Sequence, residues 1–322
     1  MDPQILFIQV LQMNAPDLSL FFQAVSVLGV PEFYMLVIPL IFWCYDRSLG
    51  IRLIMLLSIS GAICDALKCV FHSPRPYWVS PYVQALGNYP SFGFPSAHAQ
   101  NAVVFFGLLA VWIHKRWFSL SCIVLVLLIG FARIFQAMHY PTDIIGGYVL
   151  GLCILLLYIR YETQVITWIT TKPFHFQLAI AFAVSCALIL FSYAALFSLG
   201  TWQVPKVWSL LALQRSGIPI HPLVPHDTLM SAGLLFGSAA GVILDSRYLH
   251  TKITGNWYQK AAFYLIGTAI LLFIWFALGM IVHIPGPGGL IMEYTRAVIA
   301  GIWITAGAPY LFYLFRRAGG RC

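Results

Sequence analysis

Residues 176 to 199 read FQLAIAFAVSCALILFSYAALFSL, twenty-four positions without a single charge. A helix needs about 20 apolar residues to cross the roughly 30 Å hydrocarbon layer of a bilayer. The run lacks the alternation that a barrel strand would show, so it reads as a spanning helix. Composition extends that reading to the whole chain. Of its 322 residues, 61% are hydrophobic and 9% charged, against roughly 45–50% and about 25% in soluble domains. The expected class is an all-α, polytopic integral membrane protein.

Nine spans are expected: 31–45, 50–71, 97–114, 119–138, 142–161, 176–199, 227–246, 260–283 and 289–315. Residues 5–28 carry Pro16, Asp17 and Gln23 among apolar residues and read as an interfacial helix, with a tenth span as the other reading. No basic stretch precedes them, so a cleaved leader is not expected. The organisation expected is an N-terminal interfacial helix at 1–28, a core bundle at 29–165 and a C-terminal transmembrane bundle at 166–322. Gly233, Gly237 and Gly241, one every fourth residue, suit close helix packing in the seventh span. Six of the seven cysteines fall in or at the ends of spans and show no metal-ligand spacing.

The net charge of +8 follows the topology. With a non-cytoplasmic N-terminus, Arg47, Arg52, Lys115, Arg116, Arg160, Lys172, Arg247, Lys252, Lys260, Arg316, Arg317 and Arg321 all fall on the cytoplasmic side. Nothing in that distribution calls for nucleic acid. Lys206 and Arg215 lie in the outer loop at 200–226, and Arg296 lies in the last span. Lys68, Arg75 and Arg133 remain, each at the outer end of a span, where a buried cation is costly unless paired or used.

Their neighbours supply the use. DALKCVFHSPRPYW (65–78) places Lys68 at the end of the second span and Arg75 between Pro74 and Pro76, which stop the helix. FGFPSAHAQN (92–101) puts Ser96, Ala97 and His98 at the start of the third span. ARIFQAMHYPTDIIGG (132–147) puts Arg133 near the end of the fourth, His139 in the turn and Asp143 at the start of the fifth. By the span count all three stretches reach one face. Three cations and a helix N-terminus, with the backbone N–H groups of Ala97 and His98, suit a phosphate whose charge grows in the transition state. Two histidines add a nucleophile and a general acid, with Asp143 placed to orient His139.

In that order and spacing, these residues resemble the three-part signature of the type 2 phosphatidic acid phosphatase superfamily, integral-membrane lipid phosphatases related to the vanadium haloperoxidases. The resemblance covers about residues 20–160. It implies that His139 becomes phosphohistidine, that Asp143 orients it and that His98 is the general acid. It also implies that Lys68, Arg75, Ser96 and Arg133, with the Ala97 amide, hold the phosphate. No cofactor and no metal are implied. Two departures from the pattern are Ala97, where glycine is usual, and Ala132, where serine is usual; a left-handed backbone at 97 would make the first costly.

The reading is a metal-independent phosphatase that removes the terminal phosphate of a membrane lipid, an isoprenyl diphosphate or a phospholipid monophosphate, at the non-cytoplasmic face of an inner or plasma membrane. A lipid phosphotransferase would use the same first half-reaction, and a transporter or binding protein would keep the site only to grip phosphate. Asp65 reads as a structural partner of Lys68 three residues on, and His72 as a solvated loop residue. Tyr77, Trp78, Tyr82 and Tyr89 read as interface anchors in a loop long enough to act as a lid. His221, His226 and Asp227 lack the further ligands that a metal site needs.

Overall fold

The computed structural model describes residues 2–251, 255–282 and 286–319. Among them the chain is 81% helical with no strand. Helix α1 (Pro3–Asn14) starts on Asp2, whose carboxylate accepts from the Gln4 N–H at 2.8 Å. After one 3-10 turn at Pro16–Leu18 comes α2 (Ser19–Val27). The single interfacial helix expected over 5–28 is therefore two helices bent by 92°. Pro16 has no N–H to continue the ladder, and Ala15 leaves the helical region at φ −137°, ψ 49°.

The remaining elements run in order. They are α3 (Pro31–Leu40, with a π turn to Tyr45), α4 (Arg47–Phe71), α5 (Pro76–Val79), α6 (Ala97–Ile113), α7 (Arg116–Phe135) and α8 (Pro141–Thr170). Then come α9 (Phe174–Ser198), α10 (Lys206–Ser216), α11 (His226–Leu244, with a π turn to Leu249), α12 (Trp257–Val282), α13 (Pro287–Ile302, with a π turn to Gly307) and α14 (Ala308–Gly319). Each expected span lies on one of these helices, except 289–315, which covers both α13 and α14. Among the described residues seven are long and apolar enough to cross a bilayer, while the helices at 31–45 and 97–113 are shorter. The chain is an integral membrane protein. Helix α10 forms within the loop read as irregular, and α8 runs on to Thr170, past the expected end at 161. Lys252, Arg321 and the last residue of the span at 260–283 lie outside the described residues.

The chain divides into two compact units, which do not follow the boundaries expected at 28 and 165. One unit comprises residues 1–34, 63–158 and 191–225. Its core joins Tyr77, Trp78 and Phe92 to Met138 and Ile144, with Ala212 of α10 and Ile220 beside them. Helix α10 lies on α5 through Trp208, whose ring is 6.4 Å from that of Trp78. This aromatic packing buries Tyr77 and Trp78 completely, so they are core residues and not the interface anchors expected. Only Tyr82 of the four is well exposed, at 65%. His72 is partly buried, its ring tilted against that of Trp202 with centroids 4.9 Å apart.

The other unit comprises residues 35–62, 159–190 and 226–322. Its closest packing is α11 on α13, along the glycine stripe. A Cβ at Gly233 would lie 2.5 Å from the Tyr294 carbonyl oxygen, and one at Gly237 would lie 2.7 Å from Val298 Cα. Backbone meets backbone there, which a side chain would prevent. Arg47 closes one end of this unit by pairing with Asp245 at 2.5 Å and donating to the Thr251 carbonyl at 3.0 Å.

Gly237→Leu tests this packing. The obstacle is the main chain of Val298, which cannot rotate away, so the substitution should cost about 1–3 kcal/mol, as overpacked cores do. The unfolding midpoint of the purified protein in detergent should fall by several degrees; an unchanged midpoint would show that α11 and α13 do not pack on this stripe.

Candidate active site

Three chain breaks bring the polar residues together within the first unit. Helix α4 carries Lys68 on its last turn, and Arg75 follows in extended backbone (φ −86°, ψ 156°) between two prolines. Ser96 caps α6, its hydroxyl accepting from the Ala99 N–H at 3.5 Å. The Ser96 N–H donates to the Asp143 carbonyl at 3.1 Å and so ties the start of α6 to the start of α8. Ala97 occupies the first helical position and is not among the residues with positive φ. The alanine therefore brings no left-handed strain. The amides of Ala97 and His98 head the helix, where no carbonyl of a preceding turn is available.

Lys68, Arg75, Ser96, His98, Arg133, His139 and Asp143 are each 5% exposed or less. Cations so desolvated need acceptors around them. Arg75 finds them on every side of its guanidinium. Its Nε donates to the Ser91 carbonyl (2.7 Å), Nη1 to the Met138 carbonyl (2.9 Å), and Nη2 to the Phe92 carbonyl (3.1 Å) and Ser91 Oγ (3.3 Å). Lys68 Nζ donates to the same Ser91 Oγ at 3.0 Å. Arg133 Nη1 donates to Ser26 Oγ (2.7 Å) and Gln136 Oε1 (2.6 Å). Its Nε and Nη2 form no well-aligned hydrogen bond among the described residues, and the guanidinium lies against the Tyr89 side chain. Two buried donors on one guanidinium are thus left for an acceptor supplied from outside.

His139 sits where the chain reverses after α7, its N–H and that of Met138 both donating to the Arg133 carbonyl. Its Nε2 faces Arg75 Nη1 at 3.1 Å, and its Nδ1 faces Asp143 Oδ2 at 3.4 Å. A guanidinium only donates, so Nε2 is the acceptor and carries the lone pair, while the proton rests on Nδ1, on the side of the carboxylate but without a hydrogen bond to it. The Asp143 carboxylate is held in turn by the Tyr140 N–H at 2.9 Å. Burial, with Arg75, Arg133, Lys68 and His98 around it, holds the His139 imidazole well below its usual range near 6.5. Chemically, a neutral imidazole with an aimed lone pair stands next to buried cations, which is the arrangement for attack on a bound anion.

Several contributors were hidden in the sequence. Ser91 lies between Lys68 and Arg75 in an irregular stretch with no periodicity to mark it. Tyr89, read as an interface residue, has its ring under both guanidinia, 5.2 Å from Arg75 Cζ and 4.7 Å from Arg133 Cζ. Its hydroxyl lies 3.3 Å from His98 Nε2. Ser26 and Gln136 position Arg133, and a long-range partner of that kind leaves no local signature. Gly29 makes room for the general-acid candidate: a Cβ there would lie 2.6 Å from His98 Cδ2. His226 pairs with Glu293 at 2.5 Å in the second unit. Among the described residues no three His, Cys, Asp or Glu side chains stand together as metal ligands.

Residues 49–167 match the PAP2 superfamily, and residues 229–320 match the PAP2 superfamily phosphatase, transmembrane extension. Together they span more than half of the chain. The chain is similar to lipid phosphate phosphatase delta of Arabidopsis thaliana, 32% identical over 59% of this chain and 48% of that protein. It is also similar to a probable sphingosine-1-phosphate phosphatase of Dictyostelium discoideum, 27% identical over 43% of this chain and 37% of that one. An undecaprenyl-diphosphatase of Sulfolobus acidocaldarius is 26% identical over 36% and 57% respectively. The chain spans about half the length, or less, of the first curated relatives it matches. No solved structure matches it.

The depressed basicity of His139 gives a direct expectation. At pH 6, where a free imidazole is mostly protonated, His139 should remain neutral with its proton on Nδ1. Nitrogen-15 NMR of the histidine-labelled protein, with His139→Asn to identify the signal, would show this; an imidazolium signal at pH 6 would contradict it.

Proposed function

The chain belongs to the type 2 phosphatidic acid phosphatase (PAP2) superfamily, and from that premise we propose that it is a metal-independent lipid phosphate phosphatase working through a phosphohistidine. The observation that carries the proposal is the pairing of His139 Nε2, with its lone pair exposed to Arg75, and the two unpartnered donors of Arg133. A mere anion grip has no use for a nucleophile oriented by a carboxylate.

The steps follow from the residues. The terminal phosphate of the lipid enters among Lys68, Arg75 and Arg133, which neutralise its oxygens. These side chains supply the positive charge that a metal ion provides in other phosphoryl-transfer sites. Arg75 Nη1 turns from His139 Nε2 to a phosphate oxygen, and the Ser91 hydroxyl, which already accepts from two cations, donates its own proton to another. His139 Nε2 then forms an N–P bond as the P–O bond to the lipid breaks. His98 gives its proton to the departing oxygen. Asp143 stabilises the positive charge that develops on the His139 ring. In the second half, water attacks phosphorus and gives its proton back to His98, the N–P bond breaks, and inorganic phosphate leaves.

Positive charge along the helices supports an active site on the non-cytoplasmic face. Lys68 lies in the last turn of α4 and Arg75 follows it, whereas Arg47 and Arg52 open that helix; Lys115 and Arg116 join the far ends of α6 and α7. The basic ends belong on the cytoplasmic side. The substrate class is an amphiphile with a terminal phosphate, in keeping with the lipid phosphates and the isoprenyl diphosphate named for the relatives.

The test is phosphate release by the detergent-purified protein from a panel of lipid phosphates, with EDTA present and no acceptor added. Release should resist EDTA and fall by at least about a thousandfold in His139→Ala, as removal of a nucleophile does. Transfer of the phosphoryl group to an added acceptor alcohol, with no release of inorganic phosphate, would make the protein a phosphotransferase. Lipid translocation that survives His139→Ala without any phosphate release would make it a transporter.

A further inference from the structure

We infer that Tyr89 is the positioning residue of the general acid: its hydroxyl aims His98 Nε2 at the leaving-group oxygen, and its ring holds Arg75 and Arg133 in one phosphate-binding arrangement. The inference rests on the phosphatase reading above and extends it to a residue outside the signature.

Tyr89 is fixed before any substrate arrives. It lies in the stretch between α5 and α6, which lacks regular structure, and such a segment would ordinarily leave its side chain free. Here the Tyr77 hydroxyl, buried in the aromatic core, accepts from the Tyr89 N–H and donates to the Tyr89 carbonyl, both at 3.2 Å. One hydroxyl thus satisfies both main-chain groups of Tyr89. The rest of the residue faces the site. Its ring stands perpendicular to that of His98, with centroids 5.5 Å apart, which sets the plane of the imidazole as the hydroxyl sets its direction.

The chemistry gives each half of the side chain a task. A phenol both donates and accepts. Toward neutral His98 it donates to the Nε2 lone pair; toward the imidazolium it accepts the Nε2 proton. The proton that must go to the lipid oxygen is therefore held on the correct nitrogen until the substrate displaces the phenol as its acceptor. When the P–O bond breaks, that proton passes to the departing alkoxide, and no proton is taken from Tyr89 itself. The ring does separate work. Arg75 and Arg133 are two like charges in a buried site, and each lies within cation–π distance of the same electron-rich ring. The ring thereby opposes their mutual repulsion alongside the acceptors already described.

The two tasks separate experimentally, because general-acid help matters for an alkoxide and hardly at all for a nitrophenolate. Octyl phosphate and 4-nitrophenyl phosphate are compared on wild type, Tyr89→Phe and Tyr89→Leu, each checked for an unchanged unfolding midpoint. Tyr89→Phe keeps the ring and loses the hydroxyl. Its kcat/KM on octyl phosphate, which reports only the steps up to departure of the alcohol, should fall by about tenfold or more, within the range of general-acid contributions, with kcat/KM on 4-nitrophenyl phosphate within about twofold of wild type. Tyr89→Leu should show the same selective loss on octyl phosphate and in addition lower kcat/KM for both compounds about threefold or more, the loss of a cation–π pair.

Equal losses of kcat/KM on both compounds in Tyr89→Phe, or no loss on either, would overturn the role assigned to the hydroxyl. An unchanged kcat/KM on 4-nitrophenyl phosphate in Tyr89→Leu would overturn the role assigned to the ring. A wild type that releases phosphate from neither compound nor from the lipid panel would instead remove the phosphatase reading, and this proposal with it.

Discussion

Everything in the first unit depends on how one guanidinium is satisfied. Arg75 is 1% exposed in a chain built for a bilayer, where a buried cation without acceptors is excluded by its desolvation cost. Its acceptors are carbonyls and a hydroxyl of 91–92, the carbonyl of Met138 and the imidazole of His139. Those groups come from two segments that have no regular structure of their own to hold them. The arginine therefore builds the loops as much as the loops bind the arginine, and the lone pair of His139 is oriented as part of the same arrangement.

This dependence explains what could be read from the sequence. The spans were legible because membrane helices announce themselves by length and lack of charge, properties that need no knowledge of partners. Lys68, Arg75, His98, Arg133, His139 and Asp143 were legible because ionisable residues at span ends have few structural uses, and these share one face by simple counting. Tyr89 and Ser91 were not. In an aromatic loop next to a membrane, a tyrosine has an ordinary interfacial use, and only the clamp from Tyr77 turns this one inward. The same reasoning failed at Tyr77 and Trp78, which pack under α10, a helix hidden in a loop by its mixed polar and apolar residues. The bend at Ala15–Pro16 could be located from the proline but not foreseen as a right angle, since a proline near a helix start and one that breaks a helix look alike in sequence.

The two matched regions, 49–167 and 229–320, leave out the N-terminal helices, although the site does not end where the match does. The Ser26 hydroxyl of α2 accepts from Arg133, and the Phe22 carbonyl accepts from Gln136, which itself accepts from Arg133. On α1, Gln12 donates to the Phe135 and Gln84 carbonyls and accepts from the Gln84 N–H. The bent pair thus grips both the end of α7, which carries Arg133, and the loop that carries Tyr89. Gly29, just past α2, sets the space for the ring of His98. A helix running straight through Ala15 could not present Gln12 and Ser26 to these neighbouring parts of one site at once. The bend is therefore part of how the candidate site is shaped, and the candidate catalytic residues are placed by a segment that contains none of them.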